Sequence, residues 1–382
     1  MDQSNSRIKT SISDLKNKVL SNITNSTFII TLLVILVALT LVILVIIYIS
    51  NTLKKNAKNC KNIAKPNKLN AKLSSITNEK SFSYNLRDYY IKTAYNACSA
   101  GYYKNDYVNI CALENAIRKG ARCLDFEIYS VNNKPVIATS TRDNFYTKET
   151  YNYVSFTKAI QTIKNKAFSN STCPNFTDPL IINLRIKSNN TIIYDAMAKT
   201  LAAELTSKLL GVKYSREYNG KNIGEVPLQK LVNKVIIMVD GTNKTYMNTK
   251  LDEYINATTG SVFVRKYTYS QIKNIQDMND LIDYNRKNMS IIIPDRNNKK
   301  TNNSSILPMN YGCQFVGMIF QNSDNNLTYY NDFFTKNNSA FVLKPENLRY
   351  VPVTIETPPP PPKELSYEKR DIKTPFGSTY NI

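Results

Sequence analysis

Asp125 and Glu127 are the residues of this chain best placed to do chemistry. The run Ala121-Arg122-Cys123-Leu124-Asp125-Phe126-Glu127-Ile128-Tyr129 alternates with period two. Leu124, Phe126 and Ile128 therefore share one face of a strand, and Cys123, Asp125, Glu127 and Tyr129 share the other. Two carboxylates backed by an apolar face cost energy if buried unpaired, so they require a cation, a metal or solvent at a strand end. The run alone leaves open the alternative of two solvated acids on an edge strand. Proton transfer near neutral pH is ordinarily the work of histidine, yet none of the 382 residues is a histidine. Acid–base chemistry here either uses other groups or is absent.

The elements that would position these acids lie between about residues 83 and 350. Strands are expected at 89–93, 122–129, 135–138, 180–186, 234–239, 261–265, 289–293 and 314–320. Helical periodicity is clearest at 110–119, 192–210 and 270–284. Alternating strands and helices over this length predict a (β/α) barrel or a doubly wound sheet, and in barrels the strand ends carry the active sites.

The flanks differ in kind. Residues 1–27 form a polar N-terminal tail, and 28–49 are an uncharged apolar run, FIITLLVILVALTLVILVIIYI. As a helix that run spans roughly 33 Å, enough to cross a bilayer. Residues 50–81 read as a basic linker containing Pro66. Residues 351–382, with prolines 358–362, read as a disordered Pro-rich tail with polyproline II character. Arg7, Lys9, Lys16 and Lys18 precede the span, and Lys54, Lys55, Lys58, Lys61, Lys65, Lys68 and Lys72 follow it. The larger count after the span predicts a single-pass protein with its C-terminal domain in the cytosol. About a dozen Asn-x-Ser/Thr sequons, including Asn170, Asn175 and Asn256, point the other way.

The net charge of +21 is spread without an aromatic-interleaved basic motif, so nucleic acid is not an expected partner. The lysines beside the span suit anionic lipid head groups, at about 1 kcal/mol per charge near the surface; a solvated linker is the alternative. Cys60, Cys98, Cys111, Cys123, Cys173 and Cys313 match no zinc spacing. Buried free thiols are the default expectation, with disulfides open if the compartment is oxidising. No protein partner is legible.

Four segments resemble the phosphoinositide-specific phospholipase C family in order and spacing across about residues 84–350. Gly120-Ala121-Arg122-Cys123-Leu124-Asp125-Phe126-Glu127 with Lys134-Pro135-Val136-Ile137 resembles the X-box, and Pro179-Leu180-Ile181-Ile182-Asn183-Leu184-Arg185 the family's next strand. Pro308-Met309-Asn310-Tyr311-Gly312-Cys313-Gln314-Phe315-Val316-Gly317 is similar to the Y-box. Phe341-Val342-Leu343-Lys344-Pro345-Glu346-Asn347-Leu348-Arg349 is similar to the closing Leu-Lys-Pro segment. The resemblance implies a TIM-like (β/α) barrel of the PLC-like phosphodiesterase type over 82–350. It also implies two histidines as general base and acid, and a calcium ion held by Asn, Glu, Asp and Glu.

Carried over by position, the first histidine falls on Tyr95 and the second on Thr139 or a near neighbour. Asn96, Asp125 and Glu127 fall on calcium ligands, and the last calcium carboxylate falls on Arg185. The phosphate-binding lysines fall near Met238 and Asp240, and the Arg-x-Tyr-Pro contact on Ile291, Ile293 and Pro294. Tyrosine is a poor base at neutral pH, and threonine cannot serve as a general acid. Bacterial relatives use arginine in place of calcium but keep both histidines. The expected function is thus a membrane-anchored pseudoenzyme acting as a binding or structural module. No intact catalytic or substrate-binding residues are expected, and no cofactor unless calcium retains a site at Asn96, Asp125 and Glu127. The competing readings are an active phosphoric diester hydrolase with relocated groups and a structural protein of a virion membrane. The Asn-, Lys-, Ile- and Tyr-rich composition fits an AT-rich source such as a large DNA virus.

Overall fold

The computed structural model describes residues 2–23, 26–64, 73–142, 146–296, 300–352, 358–362, 365 and 368–381. They fall into two compact units, Met1–Arg349 and Tyr350–Ile382.

The first unit contains the barrel. Its strands are β1 (Tyr89–Ala94), β2 (Cys123–Val131), β3 (Lys134–Ile137), β4 (Val154–Ser155), β5 (Leu180–Ile186) and β6 (Val235–Asp240). They continue with β7 (Ala257–Thr259), β8 (Val264–Thr268), β9 (Met289–Ile293), β10 (Phe315–Met318) and β11 (Phe341–Leu343). Eight of them follow the order β7-β6-β5-β2-β1-β10-β9-β8, every neighbouring pair parallel, so the sheet is a nearly closed barrel open between β7 and β8. β3 folds back on β2 as a hairpin, β4 extends it, and β11 pairs antiparallel with the start of β1. The inner strands β1, β2, β5 and β6 are buried along nearly their whole length. This is why they read as near-continuous apolar runs in which the few polar residues stand out.

Several boundaries differ from the sequence expectation. The strand expected at 261–265 begins at Val264, because Gly260, at φ 81°, turns the chain after the short β7, which the pattern did not reveal. The helix expected at 270–284 is two helices, Tyr269–Lys273 and Met278–Lys287. The second starts where the Asp277 carboxylate caps the Asp280 N–H at 2.9 Å. The helix expected at 192–210 ends at Leu205.

The flanks also differ. The apolar run belongs to one helix, Ser26–Ile63, that continues well into the expected linker. From Phe28 it is long and apolar enough to cross a membrane, and its apolar stretch is not buried by the rest of the unit. Leu73 and Ile76, also in the expected linker, are core residues, and the Ile76 N–H donates to Asp178 Oδ1 at 2.7 Å. Pro66 lies outside the described residues. Cys60 and Cys111 form a disulfide, so free thiols hold only for Cys98, Cys123, Cys173 and Cys313. In the second unit Asp371–Lys373 and Thr379–Asn381 pair as an antiparallel hairpin, where the sequence predicted a disordered tail.

Two features of the barrel set its stability. Gln314, fully buried, accepts from Ser290 N–H at 2.8 Å and donates to the carbonyls of Arg87, Asn285 and Asn288 at 2.7–3.1 Å. Gln314→Leu takes this partner from the Ser290 N–H and from the Arg87 and Asn288 carbonyls, while the Asn285 carbonyl keeps Lys344, and a denaturant titration should show a loss of about 2–4 kcal/mol. Among the described residues no carboxylate lies in bonding distance of the buried Lys92 and Lys344, whose ammonium groups donate to backbone carbonyls. Burial lowers each to about 7. Above that pH the unfolded chain holds more protons than the folded one, so stability rises with pH until the unfolded lysines titrate near 10.4. Unfolding midpoints should climb between pH 7 and 9, and Lys92→Met should reduce the climb.

Candidate functional site

Asp125 and Glu127 lie on the inner face of β2, and Asn183 and Arg185 are their lateral partners on β5. This register follows from the parallel pairing, since residues two apart on both strands point to the same side. All four are buried: Arg185 and Glu127 have no exposed side-chain surface and Asp125 has 1%. The two-acid edge strand is thereby excluded.

Arg185 neutralises the pair. Its Nε donates to Asp125 Oδ1 at 2.9 Å and its Nη2 to Asp125 Oδ2 at 2.8 Å, a bidentate fork. Nη2 also donates to Asn96 Oδ1 at 2.7 Å, and Nη1 stands 3.8 Å from Glu127 Oε1, an ion contact without a hydrogen bond. Asn183 Nδ2 donates to Asp125 Oδ1 at 2.8 Å. Asn96, immediately beyond β1, has φ 43°, a left-handed conformation that asparagine tolerates. Its N–H donates to Asp125 Oδ2 at 3.1 Å while its side chain meets Arg185.

Glu127 is satisfied from another strand. Arg296, just past the end of β9, donates from Nη1 to Glu127 Oε1 at 2.8 Å and to the Arg142 carbonyl at 3.1 Å. Two carboxylates and two guanidinium groups thus balance in charge. Burial opposes the charge on Arg185, but the facing Asp125 outweighs it and holds the guanidinium protonated well above its ordinary range.

The Tyr95 ring lies beneath Arg185, its centroid 4.7 Å from Cζ, and meets Tyr103 edge-on at 5.8 Å. Burial pushes the Tyr95 phenol up, only partly offset by Arg185, so it stays protonated at neutral pH. Thr139 is buried too, and its hydroxyl donates to the Tyr103 carbonyl at 2.9 Å. Tyr95, Asn96, Asp125, Glu127, Thr139 and Arg185 are therefore gathered at the end of the barrel where β1, β2 and β5 finish. This is the end where (β/α) barrels build active sites.

These residues do not fit calcium. The ion takes six to eight oxygen ligands, whereas Asn96 Oδ1, both Asp125 oxygens and Glu127 Oε1 already face guanidinium groups, and Glu127 Oε2 accepts from the Ser140 N–H at 3.4 Å. Among the described residues no group of three His, Cys, Asp or Glu side chains is arranged to hold a metal. Met238 is buried in β6. Asp240 accepts from Lys266 at 2.8 and 3.0 Å, and that ion pair outweighs burial to lower the Asp240 carboxyl. Ile291, Ile293 and Pro294 add only apolar surface.

Arg296, Lys266 and Tyr103 were not singled out from the sequence. Arg296, two residues beyond Pro294 at a strand end, carried a usable signal. Tyr103 carried none, because its place depends on how the loop after β1 folds. A cavity of about 480 Å³ lies at the other end of the barrel, lined by Lys213, Tyr214, Tyr218, Lys221 and Lys230 on segments that lead into β6.

The family models for the phosphatidylinositol-specific phospholipase C X domain and Y domain match residues 82–240 and 233–347 respectively. Among solved structures the chain is similar to PLC21 of L. pealei, with a TM-score of 0.58 and 18% identity over 70% of this chain. It is similar to PLC21 of S. officinalis with a TM-score of 0.57 at the same identity and coverage. It spans 38% of the length of either. At such identity the likeness shows the fold. No curated protein matches the chain in sequence.

Removing one member of a buried ion pair leaves the other uncompensated. Arg185→Met and Asp125→Leu should each destabilise the barrel by about 3–5 kcal/mol. The double variant should lose clearly less than their sum, which a double-mutant cycle in denaturant would measure.

Proposed function

Residues 82–347 of this chain belong to the phosphatidylinositol-specific phospholipase C family, and from that premise we propose that this member keeps the barrel without the hydrolysis. The observation that carries the reading is the Arg185 guanidinium, buried and bidentate on Asp125 where the resemblance expects a metal carboxylate. Cleavage of a phosphodiester needs a base for the attacking hydroxyl, an acid for the leaving oxygen and cations on the phosphate. At the corresponding positions stand a tyrosine held protonated, a threonine whose hydroxyl is committed to a backbone carbonyl, and an arginine already neutralised by two acids. Each acid–base group contributes about 10²–10⁴-fold to such a reaction.

The protein then acts as a binding or structural module at a membrane. The apolar part of the helix Ser26–Ile63 serves as its anchor, and lysines such as Lys54, Lys58 and Lys61 meet head-group phosphates. Lipid is the ligand class that the family fold favours.

Release of water-soluble inositol phosphate from labelled bilayers should stay at background, with or without calcium. Calcium titration calorimetry should show no saturable heat. The Tyr95→His, Thr139→His double variant should remain inactive, because Arg185 and Asp240 still occupy the cation positions. Calcium-dependent release that disappears in Asp125→Ala and Glu127→Ala would overturn the reading.

A further inference from the structure

The helix Ser26–Ile63 does not end free in solvent: its last turns dock on the barrel. Lys55 Nζ pairs with the buried Asp106 carboxylate at 3.0 Å and donates to the Asn105 carbonyl at 3.0 Å. Asn59 Nδ2 donates to Asp106 Oδ1 at 2.8 Å, and Asn109 Nδ2 donates to Asn56 Oδ1 at 3.0 Å. Ile63 packs with Ala100, Ala112 and Cys111. Tyr48, at the end of the apolar run, meets the Tyr151 hydroxyl at 3.1 Å. Asp106 is the hub, because its carboxylate also accepts from the N–H groups of Tyr102 and Tyr107 at 2.9 Å. All these contacts fall on the loop between β1 and the helix Ile110–Arg118, on that helix, or on the loop before β4. The membrane helix is thus set against the same barrel end that carries Arg185.

Within this interface Cys60 and Cys111 are joined, their Cα atoms 5.8 Å apart. Polar and apolar contacts surround the bond on the same helix turns. Both cysteines are only partly buried, within reach of small thiols, and such a bond between partly exposed cysteines does not persist in a reducing cytosol. The other four thiols are buried. Burial pushes Cys98, Cys123 and Cys313 up, so they remain protonated and inert. A second observation concerns the sequons. Those at Asn175, Asn256 and Asn302 are sealed in the fold. Asn170, followed by Ser171 and Thr172, stands exposed in the turn after the helix Phe156–Lys166. That turn leads toward the entry of β5, the barrel end away from the docked helix.

We propose that the barrel lies on the oxidising, non-cytosolic side of its membrane, where the Cys60–Cys111 bond staples the membrane helix to the barrel and Asn170 carries an N-linked glycan. The inference rests on the membrane-anchor reading of residues 28–49 and reverses the orientation expected from the lysine count. One of the counted lysines, Lys55, is neutralised by Asp106. The charge rule is a bias over short segments, whereas a disulfide needs an oxidising compartment. In the first modification two thiols lose two protons and two electrons to a protein disulfide of the compartment, which is reduced to a dithiol. In the second the Asn170 amide nitrogen bonds to the anomeric carbon of a lipid-pyrophosphate-linked oligosaccharide; the lipid pyrophosphate leaves and the amide proton is lost.

The test is expression of the full chain in cells with secretory membranes. Glycosidase treatment should increase gel mobility by one glycan more in the wild type than in Asn170→Gln. Cys60 and Cys111 should resist maleimide until the protein is reduced, and Cys60→Ser should expose Cys111 to it. Absence of the Asn170-dependent shift, or maleimide labelling of both cysteines without reductant, would overturn the proposal. So would a disulfide-bonded barrel that protease digests in plasma-membrane-permeabilised cells. Alkaline carbonate extraction separates the two readings. Release of a glycosylated, disulfide-bonded chain from the membrane would refute the anchor while keeping the compartment, and an embedded chain with free thiols and no glycan would do the reverse.

Discussion

The barrel is organised around two carboxylates that cannot face water. Asp125 and Glu127 point inward from a central strand, and the structure places four of their neighbours according to that need. Arg185 comes from the adjacent strand and forks onto Asp125. Arg296 reaches in from across the barrel to Glu127. Asn96 adopts a left-handed backbone so that its N–H and its side chain serve acid and base together, and Tyr95 lays its ring under the guanidinium. Buried charge is costly unless paired and hydrogen-bonded, so each of these groups is held by the others.

That arrangement is what supports the proposed loss of hydrolysis at this barrel end. A catalytic site keeps an open position for a reacting atom, and a metal site keeps several oxygens free for the ion. Here three of the four carboxylate oxygens point at guanidinium groups, and the guanidinium groups point back. Charge balance inside the cluster removes the excess negative charge that would draw in a cation. It equally removes the excess positive charge that would hold a phosphate. At the same end the docked helix, through Asp106 and the Cys60–Cys111 bond, ties the loop after β1 to the segment that precedes the barrel. Both features favour rigidity of this end.

Much of this was legible in residue order. The alternation through 121–129 identified the inward face of β2, and Asn183 and Arg185 follow the same parity on β5 because a parallel pair shares its pleat. The apolar run at 28–49 announced a helix able to span a bilayer, since its length and lack of charge are local properties. Less legible were elements set by neighbours. β7 has three residues and no pattern of its own, and the break between the helices Tyr269–Lys273 and Met278–Lys287 depends on caps rather than on periodicity. The linker and tail readings rested on composition, which does not reveal that Leu73 and Ile76 find the core or that 371–373 and 379–381 pair.

The sequence by itself determined the family resemblance, the inward acids and the absence of histidine, because each is a matter of residue type at a fixed spacing along one strand or motif. Only the tertiary structure decided which cation meets which acid. Arg185 and Arg296 lie 111 positions apart in the chain and converge because the barrel closes β9 and β10 back onto β1 and β2. It also decided that Cys60 meets Cys111, since that contact depends on where the end of a helix docks. Contacts of this kind are set by the closure of the whole sheet, and no local pattern records them.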